Sequence, residues 1–331
     1  MTEKLLTVEE LVVRIPTADG PSELLGGVNL EVHRGEIVGV AGESGSGKSL
    51  TALAILGLLP TGASTDGAIR FDGEDIVRWP ERRMRALRGG RIGMVFQDPM
   101  TTLNPLHRVG DQIAEAYRIH HPAAGRTAAR NKAVEVLELV GVPEPQRRAR
   151  QYPHQWSGGM RQRAVIAMAL VNEPELVIAD EATTALDATI QAQVIDVLLR
   201  AKEALGVSVL FISHDLGLIG QIADTAVVMY AGRVVESAAA ASILGDARHP
   251  YSRALVASRP GASPPGTALP TIPGIPARPG SAASGCAFAP RCGFVGRSER
   301  CREETPLLLP PEPGRLSACH FRDDPRMELA S

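Results

Sequence analysis

The stretch GESGSGKS at residues 42–49 constrains this 331-residue chain more than any other feature. It matches the pattern GxxxxGK[ST], in which glycines let backbone N–H groups approach phosphates, the lysine reaches the outer phosphates, and the hydroxyl holds Mg²⁺. EIVGVAG before it reads as a buried strand and SLTALAILGLL after it as a helix, and the positive end of a helix dipole favours bound phosphate. A Gly/Ser turn with an unrelated lysine would leave these flanking elements unexplained. We therefore predict a nucleotide site that comprises Gly42, Glu43, Ser44, Gly45, Ser46, Gly47, Lys48 and Ser49, with Lys48 on the phosphates and Ser49 on Mg²⁺.

Composition limits the class of protein. Hydrophobic residues make up 44% of the chain and can supply the core of one large or two modest domains. The net charge of −2 gives no indication of nucleic-acid binding. No apolar run approaches the length of a membrane span, and the N-terminus MTEKLLTVEE is too charged for a secretion signal. We expect a cytosolic protein that touches the membrane only through partners.

Two acidic residues follow an apolar strand in the run PELVIADEATTALD at 174–187. We expect Asp180 to hold Mg²⁺ through water and Glu181 to act as general base on the attacking water, which needs a dry site that raises its pKa. Paired acids can also cap a turn, but acids directly after a buried strand in a chain with a phosphate loop are more often functional.

Three other polar positions end or begin predicted elements. Gln97 ends the strand-like run RIGMVFQDP, and its amide can coordinate Mg²⁺ or orient water. His214 ends the buried strand VSVLFISHD. The segment SGGMRQ starts a helix and exposes the backbone N–H groups of Ser157, Gly158 and Gly159, a second anion site. Taken singly, these residues also fit an ordinary turn, a core or capping histidine, and a helix cap.

In this order, the motifs resemble those of ABC transporter ATPases over about residues 5–236. The resemblance implies a P-loop α/β core with an antiparallel β subdomain and a helical subdomain, plus a small C-terminal domain. It also implies a head-to-tail dimer, in which each ATP lies between the phosphate loop of one subunit and the SGG signature of the other.

The same resemblance implies roles for individual residues. Gln97 lies in a loop that senses the membrane subunit, His214 contacts the γ-phosphate, and Asp187 lies in a segment that crosses the dimer interface. Ile15 occupies the position where the family usually has an aromatic residue stacked on adenine. This departure weakens the expectation of stacking on the base.

The composition changes after residue 236. RHPYSRALVAS is followed by a segment rich in Pro, Gly, Ala and Ser up to residue 284, which reads as an extended linker. We expect an ATPase domain at 1–245, with its helical subdomain at about 98–170, and a C-terminal extension at 246–331.

All four cysteines lie in this extension. In a reducing compartment such clustering indicates a metal site more than disulfides, but the spacing lacks the close CxxC pairs of common zinc modules. With the preceding HPY and IPG elements, the segment resembles the C-terminal extension of oligopeptide and dipeptide importer ATPases. That resemblance implies a 4Fe–4S cluster on Cys286, Cys292, Cys301 and Cys319. A structural Zn²⁺ site is the main rival, and free thiols come third.

The resemblance implies a peripheral subunit at the cytoplasmic face of the cell membrane that hydrolyses ATP with Mg²⁺ to power peptide import. Its expected partners are a second, related but different ATPase chain, two permease subunits and an extracytoplasmic solute-binding protein, with no nucleic acid. Other small solutes such as nickel complexes are one alternative. A soluble mechanical ABC-type ATPase and a non-hydrolytic regulatory subunit are the others.

Overall fold

The computed structural model describes residues 3–18, 20–96, 102–182, 188–259, 270–277, 284–293 and 298–324. The chain divides into two compact units. The first consists of Met1–Leu5, Val32–Glu36 and Arg78–Ile212, and the second of Leu6–Glu31, Ile37–Val77 and Ser213–Ser331.

One sheet, most of whose residues belong to the second unit, has the strand order β2-β1-β4-β5. Its strands are β1 (Lys4–Thr17), β2 (Gly20–His33), β4 (Ser64–Phe71) and β5 (Glu74–Asp75). β1 is antiparallel to β4, and a bulge interrupts their register between Glu9 and Val12. The bulge inserts one residue, so Leu6 and Val8 before it and Leu11 and Val13 after it are all buried. The predicted antiparallel β subdomain is confirmed.

The other sheet of this unit begins with β3 (Ile37–Ala41), a fully buried apolar strand parallel to β9 (Thr225–Tyr230). β9 is antiparallel to β10 (Arg233–Ala239), β10 pairs with β12 (Arg315–Ser317), and β12 pairs with β11 (Leu309–Glu312). The C-terminal strands therefore extend this sheet. The helices of the unit are α1 (Lys48–Ile55), α8 (Leu216–Ile222), α9 (Ala240–Asp246), α10 (Pro250–Ala257) and α11 (Glu299–Glu303).

The first unit contains the parallel strands β6 (Ile92–Val95), β7 (Leu176–Asp180) and most of β8 (Ser208–Ser213). β7 and β8 are buried along their whole length, as expected of parallel strands covered on both faces. Its helices are α2 (Glu81–Leu87), α3 (Val109–His120), α4 (Arg126–Leu139), α5 (Pro145–Arg148), α6 (Gly158–Leu170) and α7 (Ala188–Leu205).

The predicted helical subdomain is also present. α3, α4 and α6 contact one another, and α6 also contacts α7. α3 and α4 are separate helices, because HPAAG at 121–125 places a proline and a glycine between them. Within the described ranges, no helix has both the length and the apolar character needed to cross a bilayer.

Candidate functional site

The predicted phosphate loop connects β3 to α1. Gly42, Gly45 and Gly47 have φ angles of 154°, 78° and 104°, in the region that favours glycine. A Cβ on Gly42 would lie 2.3 Å from the Met229 carbonyl oxygen, and one on Gly47 would lie 2.6 Å from Leu25 Cδ2. Backbone conformation therefore favours glycine at all three positions, and close packing also requires it at Gly42 and Gly47.

The loop has the chemistry of an anion site. Lys48 is 4% exposed, and its Nζ donates hydrogen bonds to the carbonyl oxygens of Gly42 (2.8 Å) and Glu43 (3.0 Å). Gly47 is the N-cap of α1 and adds no side chain at the helix N-terminus. Ser46 Oγ is buried and has no hydrogen-bond partner among the described residues. A buried ammonium group, an unsatisfied hydroxyl and a helix N-terminus in one tight loop suit a phosphate chain.

The turn between β9 and β10 supports the loop. The Gly232 N–H donates to the Ser46 carbonyl oxygen (2.9 Å), and the Gly26 N–H donates to the Gly232 carbonyl oxygen (3.0 Å). Gly232 has a φ of 80°, and a Cβ there would lie 2.2 Å from the Leu24 carbonyl oxygen. The sequence interpretation missed Gly232, since the turn lies far from the loop along the chain.

Glu43 makes two further contacts that the sequence did not reveal. Its backbone N–H donates to the Tyr251 hydroxyl (2.8 Å), and its carboxylate forms a two-pronged ion pair with the Arg291 guanidinium (2.7 and 3.0 Å). Hydrogen bonding to Glu43 raises the pKa of Arg291 above its ordinary value, and burial raises that of Tyr251. The only sequence signal was the HPY element that contains Tyr251.

The predicted acids lie at the end of β7 in the first unit. Asp180 is buried, and Glu181 follows it with a φ of 47°, which is uncommon for a non-glycine residue. The Glu181 N–H donates to the Ile212 carbonyl oxygen (3.0 Å). Gln162, fully buried on α6, donates from Nε2 to the Ala182 carbonyl oxygen (2.9 Å). The backbone on both sides of Glu181 is thus held by hydrogen bonds, and Gln162 is a residue that sequence reasoning missed.

The SGG segment forms the N-terminus of α6. Ser157 is the N-cap, and its Oγ accepts the Met160 N–H at 3.4 Å, so the helix-cap interpretation is correct locally. Ser157 and Gly158 are exposed, while a Cβ on the buried Gly159 would lie 2.5 Å from Ile190 Cδ1. A capped helix start with exposed leading residues is also what an anion site in trans requires.

The remaining predicted site residues are less constrained by contacts. His214 is exposed between β8 and α8. The next residue, Asp215, caps α8 by accepting the N–H groups of Gly217 and Leu218. Ile15 is half-buried on β1. Gln97 and Asp187 lie outside the described residues, so their roles stay predictions.

The four cysteines converge in the second unit and line one cavity of about 20 Å³. None forms a disulfide. Burial raises the pKa of Cys286, Cys301 and Cys319, the last to about 12, and the neighbouring thiols raise it further. Among the residues that the structure describes, no group of three or more His, Cys, Asp or Glu side chains has the arrangement of a metal site. The prediction that the thiols lie together agrees with the structure, and their ligand stays a prediction.

Comparison with known proteins identifies the family. A family model described as "ABC transporter" matches residues 25–184, and one described as "Oligopeptide/dipeptide transporter, C-terminal region" matches residues 235–301. The "Probable peptide ABC transporter ATP-binding protein y4tR" of Sinorhizobium fredii is 47% identical over 95% of this chain and 94% of its own length. The chain belongs to the ATP-binding proteins of ABC transporters.

Other relatives of this ABC transporter ATP-binding protein differ in length. The "Dipeptide transport ATP-binding protein DppD" of Escherichia coli is 42% identical over 96% of each chain. The "Oligopeptide transport ATP-binding protein OppD" of Mycobacterium tuberculosis is 48% identical over 95% of this chain but only 51% of its own length. The chain therefore spans about half the length of that relative and of its Mycobacterium bovis counterpart.

A solved structure confirms the predicted fold. The dimeric post-hydrolysis structure of the ATP-binding cassette MJ0796, bound to ADP and Pi, matches with a TM-score of 0.63 and 27% identity. The match covers 71% of this chain and 99% of that chain. Because nearly all of the cassette is matched, the part of this ABC protein outside the match has no counterpart in the cassette.

Proposed function

We propose that this protein hydrolyses ATP and thereby powers the import of peptides through a membrane permease. The observation that carries the proposal is the tight glycine loop that buries Lys48 at the start of α1. It occurs in a chain whose relatives are named oligopeptide and dipeptide transport ATP-binding proteins.

Phosphate binding is assigned to residues 42–49. Loop N–H groups and Lys48 bind the phosphates of ATP, and the buried Ser46 hydroxyl, without a partner among the described residues, supports this fit. Ser49 and Gln97, and Asp180 through water, would hold Mg²⁺, which would neutralise charge on the phosphates. Ile15 on β1 would lie at the adenine of ATP, without an aromatic ring to stack on it.

Hydrolysis is assigned to Glu181 and His214. The oxygen of a water molecule attacks the γ-phosphorus, the bond to the ADP oxygen breaks, and the Glu181 carboxylate takes the proton of the water. His214 contacts the γ-phosphate and stabilises its charge during attack. The strained φ of Glu181 supports a functional position, since such strain is concentrated at functional sites.

A second ATPase chain completes the nucleotide site. Its counterparts of Ser157, Gly158, Gly159 and Asp187 contact ATP in trans, and the exposure of Ser157 and Gly158 supports this assignment. We propose that the second chain is related but different. The assembly further contains two permease subunits and an extracytoplasmic solute-binding protein, with this protein peripheral at the cytoplasmic face of the membrane.

The domain arrangement is an ATPase domain at 1–245, with its helical subdomain at about 98–170, and an extension at 246–331. Matches to two different family models, at 25–184 and 235–301, support this division into two regions. The extension adds β12 to β10, with Glu236 opposite Ser317, so its strands complete the sheet that contains β3.

Within the extension, Cys286, Cys292, Cys301 and Cys319 would hold a 4Fe–4S cluster, with Zn²⁺ as the alternative. Four thiols are the number such a cluster needs, and the Phe321 N–H already donates to Cys319 Sγ (3.4 Å). The four thiols line a cavity of about 20 Å³, and Cys286, Cys292 and Cys301 also line a neighbouring cavity of about 520 Å³. A bound cluster would supply iron–thiolate bonds that cross-link the segments that carry the cysteines.

Metal analysis tests the cluster. Anaerobically purified protein should contain close to four irons per chain, and the Cys286→Ser variant should lose them. Zinc at about one ion per chain would favour the alternative, and protein without either metal would refute both.

Reconstitution tests the function. The full complex with its permease, in proteoliposomes, should take up peptide in proportion to ATP hydrolysed, and a complex with Glu181→Gln should bind ATP without uptake. Uptake of a nickel complex but not of peptide would move the substrate to the alternative class. Copurification with soluble factors or DNA in place of membrane proteins would contradict the transport role.

A further inference from the structure

The peptide that joins Gly42 to Glu43 is bonded on both sides. Its N–H, from Glu43, donates to the Tyr251 hydroxyl (2.8 Å), and its carbonyl, from Gly42, accepts from Lys48 Nζ (2.8 Å). Because a peptide unit is planar and trans, its N–H and C=O point in opposite directions. Fixing the N–H on Tyr251 therefore also fixes the carbonyl oxygen that holds Lys48.

Tyr251 is itself rigidly held. Its side chain is fully buried, and its ring lies 4.7 Å from that of Tyr230 and 5.3 Å from that of Phe288. The phenol oxygen cannot follow the loop if the loop moves, since the ring has no space to swing. A single buried hydroxyl thus sets the direction of the first peptide of the loop.

Arg291 holds the side chain of the same loop residue. Its side chain is 4% exposed and pairs through both terminal nitrogens with the Glu43 carboxylate. Its Nε donates to the Pro273 carbonyl oxygen (2.8 Å), and one terminal nitrogen also lies 3.4 Å from the Tyr230 hydroxyl. A buried guanidinium that loses its carboxylate is strongly unfavourable, so this pair resists rotation of Glu43 away from Arg291.

Three sequence elements outside the ATPase motifs are connected to Glu43, two by direct contact and one through Arg291. Tyr251 belongs to HPY, Pro273 belongs to IPG, and Arg291 directly precedes Cys292 in the cysteine-bearing segment. None of the ATP-site roles proposed above uses these elements. Tyr251 and Arg291 therefore both restrain Glu43, and Pro273 restrains Arg291.

We propose that Tyr251 and Arg291 are positioning residues for ATP binding, which hold the Gly42–Glu43 peptide so that Lys48 faces the phosphates. The proposal rests on the proposed function, because it requires that residues 42–49 bind ATP. The two residues do not touch the reacting atoms. Their loss should therefore weaken binding much more than it slows the chemical step.

The test uses the full-length chain and two mild substitutions. Tyr251→Phe removes one hydroxyl and keeps the ring, and Arg291→Lys keeps the charge but loses the two-pronged pairing. Each should raise the Kd for MgATP and the KM for ATP about tenfold, with kcat kept within about twofold. Arg291→Gln should weaken binding more than Arg291→Lys does, since it also removes the charge.

Arg315 provides a matched control. Its side chain is also 4% exposed in the same region, but it pairs with Glu312 and Asp246 and bonds to the carbonyl oxygens of Ser242 and Asp246. Arg315→Lys should lower the thermal midpoint of unfolding about as much as Arg291→Lys does. It should leave the Kd for MgATP unchanged when both variants are measured below their midpoints.

The Glu43 contacts should also be coupled. The double variant Glu43→Gln/Arg291→Gln should raise the Kd for MgATP by much less than the product of the two single-variant fold changes, because both substitutions break the same ion pair. Should Arg291→Gln fail to fold, Tyr251→Phe and Arg291→Lys still decide the question.

Wild-type affinity for MgATP in Tyr251→Phe and Arg291→Lys would overturn the proposal, and so would an equal loss in Arg315→Lys. Lys48→Ala separates this failure from that of the proposed function. If Lys48→Ala loses ATP while the positioning variants do not, only the positioning proposal fails. A wild-type chain that binds no ATP would overturn both.

Discussion

Gln162→Leu tests whether a buried amide on α6 holds the backbone that carries the proposed general base. Gln162 is fully buried, and its Nε2 donates to the carbonyl oxygen of Ala182, the residue that follows Glu181. Leucine has a similar volume but cannot donate. The substitution therefore removes one hydrogen bond next to Glu181 with little change in packing.

The expected magnitude follows from the two atoms of the amide. Loss of Nε2 leaves the buried Ala182 carbonyl without this donor, at a cost of about 1–3 kcal/mol. Gln162 Oε1 is buried without a hydrogen-bond partner among the described residues, so its removal recovers part of that cost. We expect a net loss of about 1 kcal/mol in the free energy of unfolding. A general base accelerates a reaction about 10²–10⁴-fold, so partial misplacement of Glu181 should lower kcat about tenfold, with the KM for ATP little changed.

Asn172→Leu is the matched control, measured by urea unfolding and steady-state ATP hydrolysis. Asn172 donates from Nδ2 to the carbonyl oxygens of Gly89 and Ala116, and its Oδ1 is likewise buried without a partner in the described part of the chain. Its loss should cost similar stability and leave kcat unchanged. Wild-type kcat in Gln162→Leu, or an equal fall in Asn172→Leu, would refute the assignment.

Three further changes have defined outcomes. Glu181→Gln should bind MgATP as the wild type does but lose nearly all turnover, and wild-type turnover would remove Glu181 from the role of base. Gly42→Ala should lower the free energy of unfolding by about 1–3 kcal/mol more than Gly45→Ala, because a Cβ at Gly45 meets no atom within 4 Å whereas one at Gly42 meets a backbone oxygen; equal losses in denaturant titrations would contradict this. Hydrogen bonds from Arg91 and Arg34 lower the pKa of Glu175. The ionised carboxylate therefore contributes to the free energy of unfolding above about pH 4.5, and this contribution is lost as the pH falls through the folded-state pKa. The Glu175 side chain is 31% exposed, so solvent weakens its ion pairs. Glu175→Gln should therefore reduce the free energy of unfolding that is lost on acidification by only about 0.5–1 kcal/mol. An unchanged dependence of the unfolding free energy on pH would refute the pairing.

Features set by short segments were predictable from the sequence. The strand, glycine loop and helix from β3 to α1 are contiguous, so the loop pattern and the flanking hydrophobicity specified them together. The acids after β7 were predictable for the same reason, since a buried strand places its final residues at the edge of the sheet.

Contacts between distant segments were not predictable. Tyr251 and Arg291 lie 208 and 248 residues beyond Glu43, and nothing in the local sequence of either specifies the other. The same holds for Gln162, whose partner carbonyl depends on how α6 packs beside the loop after β7. Strands β11 and β12 are short and contain prolines and an arginine. Their alternation of apolar and polar residues was therefore too weak to indicate that they extend the sheet of β3.

The most direct measurement is equilibrium binding and hydrolysis of MgATP by the purified full-length chain and its Lys48→Ala variant. The wild type should bind MgATP and hydrolyse it, and Lys48→Ala should lose most of its affinity because Lys48 supplies the buried positive charge at the loop. Unchanged affinity in Lys48→Ala, with the variant folded, would contradict the assignment of residues 42–49 as the ATP site.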